Sequence, residues 1–192
     1  MSFIRKYVGD RQFYRTVLGV AVPMMIQNGI TNLVNLLDNV MVGTLSTEAM
    51  SGVSIVNQFV FIFNLLIFGA ISAAGIFTAQ YHGLGDSEGV RYTFRFKFII
   101  NALAGALGVA IFALFDEQLI RMFLHTGSME GDLELTLAFG QEYLLIMLAG
   151  LIPYAIAQAY ASTMRETGET MLPMKAGITA VFVNLCLNYI LI

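Results

Sequence analysis

A carboxylate side chain, Asp38, lies inside residues 16–42, a stretch long and apolar enough to cross a lipid bilayer. Lipid cannot solvate such a group, so an acid in a membrane helix is expected to face other helices or a water-filled cavity and to serve a function. Polar side chains recur around it at helical spacing and share with it an arc of about 120°. They are Asn28, Thr31, Asn32, Asn35 and Asn39.

A polar pair in the last apolar segment could complete a site. Asn184 and Asn188 are one helical turn apart and therefore share a face. If the first and last segments both run outward, Asp38 and Asn188 reach a similar depth in the outer half of the membrane. The carboxylate and two amide oxygens could then bind a sodium ion, or a proton with its hydrogen-bond partners. The plainer alternatives are an Asp38 that reaches the headgroups and asparagines that merely join helices.

The elements that position these residues are predicted to be membrane helices. Hydrophobic residues make up 57% of the 192 and charged residues 12%, with a mean hydropathy of +0.74. Five long apolar segments are separated by short polar joints, at 16–42, 49–81, 93–114, 133–164 and 171–192. The expected fold class is therefore all-α and integral to the membrane, a polytopic helix bundle. The joint before the fourth segment contains DEQLIRMFLH, either a short amphipathic helix on the outer surface or an ordered loop.

Charge and cysteine content exclude several function classes and predict an orientation. The net charge is −3 with no basic patch, so nucleic acid is not an expected partner, and the lone Cys186 excludes a disulfide framework. With a cytoplasmic N-terminus, only Arg121 among the basic residues lies outside. The others all fall on or near the inner side: Arg5, Lys6, Arg11, Arg15, Arg91, Arg95, Lys97, Arg165 and Lys175.

Further polar residues are candidates for the lining of a cavity, and a proline is expected to shape the first helix. Pro23 lies fifteen residues before Asp38 and should kink the helix there. The candidate lining residues are polar and lie in the first and fourth segments. They are Gln27, Asn28, Thr31, Asn35, Tyr143, Tyr154 and Gln158.

Two stretches resemble the multidrug and toxin extrusion (MATE) family. The run VPMMIQNGITNLVNLLDNVMVGTLSTEAMSGVSI is similar to that family's first helix, joint and second-helix start, with a helix proline and an Asp before a small-residue turn. The run RETGETMLPMKAGITAVFVNLCLNYILI is similar to its R-x-x-G-(D/E)-T joint and the following helix with paired Asn residues. The resemblance covers almost the whole chain, and both motifs occur in the family's order.

The resemblance implies a secondary antiporter that exports cationic or amphipathic drugs in exchange for Na⁺ or H⁺, and not an enzyme. It implies that Pro23 is the bend of the first helix, Asp38 the coupling acid, and Asn184 and Asn188 its partners. Some members carry Asp at the position of Asn188, and its absence here leaves the coupling ion open. No cofactor other than that ion is expected. The resemblance also implies a multi-pass protein of a bacterial-type inner membrane.

The length predicts that the chain is part of a longer protein. Family members have two six-helix lobes, whereas the 192 residues provide five helices. The chain is therefore expected to be a partial N-terminal lobe, with the C-terminal lobe of the same protein as its missing partner and membrane lipid around it.

Two other functions compete with the transporter. An intramembrane aspartyl protease would pair Asp38 with Asp86 of the GLGD run, although Asp86 is more simply a loop acid. A lipid-linked oligosaccharide flippase of the same superfold would need basic residues in its cavity, and no Lys or Arg is expected in the middle of a span.

Overall fold

The computed structural model describes residues 8–44, 46–126 and 132–191, and these form six helices without strands. In chain order they are α1 (Arg11–Gly43), α2 (Thr47–Gly83), α3 (Ser87–Leu114), α4 (Asp116–Thr126), α5 (Leu133–Glu166) and α6 (Met171–Leu191). All but α4 are long and apolar enough to cross a membrane. The predicted all-α bundle with five candidate spans is confirmed.

Side chains in the polar joints start three of the helices. Ser46 accepts a hydrogen bond from the backbone N–H of Ala49 and caps α2. Asp86 caps α3 by accepting from the N–H groups of Glu88 and Gly89, both at 3.0 Å. Asp132 caps α5 in the same manner. These caps satisfy backbone donors that the helices themselves leave without partners.

The fold consists of two compact units. The central unit is Asn39–Thr167, and the terminal unit combines Met1–Asp38 with Gly168–Ile192. Gly168 stands at the start of the second terminal segment with φ +86°, a left-handed conformation that favours glycine. That glycine follows α5, where the chain must turn before α6 begins.

The central unit is a tightly packed bundle. Phe63, Ile67 and Ile71 of α2 pack with Leu151 and Ala155 of α5 in one buried cluster. A second cluster contains Ile55, Phe59, Leu137 and two residues of α4, Ile120 and Leu124. The segment DEQLIRMFLH, predicted to be either a short amphipathic helix or a loop, forms the helix α4. Its apolar face is buried in the core of the bundle.

Small residues let the helices of the central unit approach closely. A Cβ atom added to Gly52 of α2 would lie 2.8 Å from two backbone atoms of α5, Gly140 N and Thr136 O. Gly108 of α3 lies under the ring of Phe63, and Gly105 under Ala155 and Ile152. In lipid, the hydrophobic effect does not drive helices together, so their association depends on van der Waals contact. The close approaches at these glycines increase that contact and stabilise the bundle.

The terminal unit contains α1 as far as Asp38 together with α6, and these two segments run in the same direction. Thr170 contacts Gly19, and Asn188 contacts Asp38, at sequence separations of 151 and 150. Between these two contacts, Gln27 lies against Gly177. Because the contacts follow the same order along both segments, the helices are parallel and keep one register.

Candidate functional site

The carboxylate of Asp38 receives a direct hydrogen bond from the other helix of the terminal unit. Asn188 Nδ2 donates to Asp38 Oδ1 at 2.6 Å, and both side chains are half-buried. The same Nδ2 lies 3.4 Å from Asn184 Oδ1. The structure therefore brings together the three residues that the sequence proposed for ion coupling. Hydrogen bonds of this charged kind are short and contribute about 1.5 to 3 kcal/mol.

The arrangement suits either a hydrogen-bond donor or a cation between two oxygens. Asp38 Oδ1 and Asn184 Oδ1 converge on the amide NH₂ group of Asn188. A sodium ion in the place of that group would meet the same two oxygens, and a half-turn of the Asn188 amide would present its own oxygen as a third ligand. Oxygen ligands of this type suit a hard cation. Protonation of Asp38 would instead weaken the bond that Asn188 now donates.

A second polar contact compensates for the proline of α1. Proline has no backbone N–H, so Pro23 leaves the carbonyl oxygen of Gly19, four residues earlier, without its helical donor. The hydroxyl of Thr170, which is 5% exposed, lies 3.4 Å from that oxygen and donates to it. The helix is continuous from Arg11 to Gly43 through Pro23. Sequence reasoning identified Pro23 but missed Thr170, although the spacing of four residues marks the oxygen that needs a donor.

The remaining candidates in α1 have different surroundings. Gln27 packs against Gly177 of α6, where its side chain occupies the space that a Cβ would need. Thr31 uses its hydroxyl within its own helix, donating to the Gln27 carbonyl at 3.0 Å. Asn28 and Asn35 are exposed. Of the candidates in this helix, Asp38 and Gln27 are thus shown in contact with α6.

The central unit has a groove that includes one of the predicted lining residues. The groove has a volume of about 460 Å³ and an almost wholly apolar wall. Tyr143 lies in it as a candidate named from the sequence, whereas its neighbour Glu142 was not singled out. Glu142 supplies the carboxylate among the lining residues, which are Val42, Ser46, Ala49, Val53, Phe139, Glu142, Tyr143 and Ile146. Tyr154 and Gln158 lie further along α5 and are not among the residues that line this groove.

The structure corrects the expectation that no basic side chain lies well inside a span. The third helix begins at Ser87 rather than at residue 93, so Lys97 lies well within it, and its side chain is fully buried. Lys97 pairs with the carboxylate of Glu166, and Thr163 Oγ1 lies 3.4 Å from its ammonium nitrogen. No periodic pattern in the sequence indicates this pair, because its members are 69 residues apart. Glu166 neutralises the charge, so Lys97 does not provide the basic cavity of a flippase.

The structure also gives Asp86 a local role. Its side chain is exposed and caps α3. This is the loop-acid interpretation, and it leaves the protease hypothesis without the buried second aspartate that it requires.

Comparison with known proteins identifies the class to which this fold and site belong. The MatE family model matches residues 23–190, which is most of the chain, and the chain therefore belongs to the MatE family. This membership confirms the resemblance seen in the two sequence motifs. The family consists of transporters and not of enzymes. Together with the five long apolar helices, it makes the chain part of a multi-pass membrane protein.

Curated relatives agree with the family match. The probable multidrug resistance protein NorM of Thermotoga maritima is 27% identical over 93% of this chain and 37% of its own length. The multidrug resistance protein PmpM of Pseudomonas aeruginosa is 26% identical over 93% of the chain and 36% of its own. The probable multidrug resistance protein YoeA of Bacillus subtilis is 22% identical over similar shares. The chain spans little more than a third of each relative. No solved structure gives a significant match.

Proposed function

We propose that the protein carrying this chain is a secondary active antiporter that exports organic cations or other amphipathic drugs in exchange for Na⁺ or H⁺. The observation that carries the proposal is the hydrogen bond from Asn188 to Asp38, formed between two helices that could each span the membrane. A carboxylate held in such a place is costly to retain, on the order of 2.5 to 3.5 kcal/mol at mid-membrane and less towards the interface. The names of the curated relatives support drug export as the activity.

In the proposed mechanism, Asp38 exchanges its partner. While it is ionised and free of a coupling ion, its carboxylate accepts from Asn188. A proton or a sodium ion on Asp38 removes or neutralises the charge and weakens that bond, so the outer part of α1 loses a fixed contact with α6. Pro23 is the point at which α1 has no internal hydrogen bond to resist bending. Ion binding would thereby change the shape of the lobe and release the drug.

The groove of the central unit supports an amphipathic cargo. Its almost wholly apolar wall suits the hydrophobic part of a drug. We assign the protein to a bacterial-type inner membrane with the N-terminus in the cytoplasm. The bias of its basic residues supports this orientation.

Replacement of Asp38 by Asn in the protein that carries this chain tests the proposal. The variant keeps the size of the side chain but neither titrates nor attracts a cation. Efflux of a cationic dye from loaded vesicles should fall to background in both a sodium gradient and a proton gradient, with unchanged membrane expression.

The matched control is Asp10→Asn, which changes an exposed carboxylate that accepts from the Phe13 N–H beside the start of the same helix. Its efflux should equal that of the wild type. Unimpaired dye export by Asp38→Asn in both gradients would refute the proposed role of Asp38. In the wild type, the gradient that drives efflux identifies the coupling ion.

A further inference from the structure

A second groove lies on the surface of the central unit, between α3 and α5. It has a volume of about 350 Å³ and is lined by Phe94, Arg95, Phe98, Ile99 and Tyr160. Tyr160 joins its two sides, because its ring centroid lies 4.8 Å from that of Phe94 and 6.4 Å from that of Phe98. These edge-on contacts fix the walls of the groove. Nothing in the proposed transport mechanism uses this surface.

The groove carries one positive charge, that of Arg95. Its side chain is exposed, and the ring of Tyr92 lies 5.8 Å from its guanidinium carbon. Within the described ranges, no acidic side chain forms an ion pair with it. Lys97, two residues along, is buried and neutralised by Glu166. Arg95 therefore presents a guanidinium group that can bind an anion beside the apolar walls of the groove.

Arg95 lies among the charged first turns of α3, where we expect the membrane interface. It lies about 12 Å from the start of the helix at Ser87, at 1.5 Å per residue. The first turns carry the charged residues Glu88, Arg91 and Arg95, and an uninterrupted run without charge follows at 98–114. Arg95 is thus the last exposed charge before the hydrocarbon region, and its long side chain can reach the interface.

We propose that this groove binds a phospholipid with an anionic headgroup. The phosphate and headgroup lie on the guanidinium of Arg95, which can donate two parallel hydrogen bonds to phosphate oxygens. One acyl chain follows the apolar walls of Phe98, Ile99 and Tyr160. Charge complementarity selects an anionic lipid over a zwitterionic one, because a basic residue near the membrane surface favours anionic lipid.

Native mass spectrometry of the detergent-solubilised protein that carries this chain tests the site. The probes are phosphatidylglycerol and phosphatidylcholine with identical acyl chains. The wild type should bind phosphatidylglycerol more tightly, and Arg95→Gln should reduce that preference about five-fold, which corresponds to ~1 kcal/mol for one basic residue. Arg95→Lys should retain the charge and part of the preference.

Arg121→Gln is the matched control, because this arginine lies in α4, which is not a candidate span, and is already paired with Glu117 and Glu134. It should keep the wild-type lipid preference. The midpoint of thermal unfolding of Arg95→Gln should equal that of the wild type, which would show that the substitution leaves the bundle intact.

Three results would overturn the site. They are equal binding of the two lipids by the wild type, an unaltered preference in Arg95→Gln, and competition by soluble glycerol phosphate as effective as that by the lipid. The third would mean that the apolar walls contribute nothing. None of these outcomes depends on transport activity.

Discussion

Each of the two units is stabilised internally by a different kind of interaction. In the central unit, apolar side chains and close glycine contacts join α2, α3 and α5, with α4 packed into the core. In the terminal unit, α1 buries a single side chain, Val34. Two polar contacts join it to the second segment, from Thr170, just before α6, to Gly19 and from Asn188 of α6 to Asp38. Packing is insensitive to ions, whereas a hydrogen bond to a carboxylate depends on its charge. The contact between Asp38 and Asn188 in the terminal unit is therefore the one that the proposed mechanism uses.

The largest effect should come from breaking the buried ion pair of the central unit. Lys97→Met removes the ammonium group and leaves the Glu166 carboxylate, 19% exposed, without its partner. Loss of one member of a buried pair costs about 3 to 5 kcal/mol, and the partial exposure of Glu166 places this case at the lower end. The midpoint of thermal unfolding of the purified protein should fall accordingly.

The double variant Lys97→Met with Glu166→Gln serves as the control for this pair. It removes the uncompensated charge, so it should recover part of the lost stability. A single variant as stable as the wild type would show that the pair does not hold the bundle.

A glycine exchange in each unit sharpens the comparison. Gly52→Ala places a methyl group 2.8 Å from the backbone of α5 and should destabilise the central unit by about 1 to 3 kcal/mol. Gly29→Ala, in α1, meets no described atom within 4 Å and should be neutral or slightly stabilising. Thermal unfolding of the two variants, measured side by side, checks the difference. Equal destabilisation by both exchanges would contradict the contrast between the units.

The smallest effect should follow from removing the hydroxyl that supports the proline position. Thr170→Val keeps the shape of the side chain but leaves the Gly19 carbonyl without a donor, at a cost of about 1 kcal/mol. Hydrogen exchange of the α1 amides around Pro23 should become faster. In Thr170→Ser, which retains the hydroxyl, these amides should exchange at the same rate as in the wild type. Identical exchange in the Val variant would show that Thr170 does not stabilise this turn.

Much of the fold could be predicted because membrane helices are specified locally. Length and hydropathy alone predicted five spans, and the structure has five candidate spans with ends shifted by up to six residues. The third helix shows why the ends were less accurate. Asp86 caps it at Ser87, and its first turns are polar, so hydropathy recognised the helix only from residue 93.

The candidate site was predictable in part for a similar reason. Asp38, Asn184 and Asn188 stand out because polar groups are rare in apolar segments, and parallel helices bring them to one depth. Thr170 and Glu166 did not stand out, because both lie in the polar joint region where such residues are common. Their partners, Gly19 and Lys97, are 151 and 69 residues distant.

The sequence by itself determined the class of the fold, the number of spans and the carboxylate around which a function can be built. Those properties follow from the cost of placing polar groups in lipid, which each segment carries in its own composition. Only the tertiary structure decided which donors and acceptors pair. It shows that Lys97 is buried against Glu166, and that Thr170 donates to the Gly19 carbonyl oxygen, which Pro23 leaves without its helical donor. Such pairings depend on the register between helices, and packing sets that register across the whole chain.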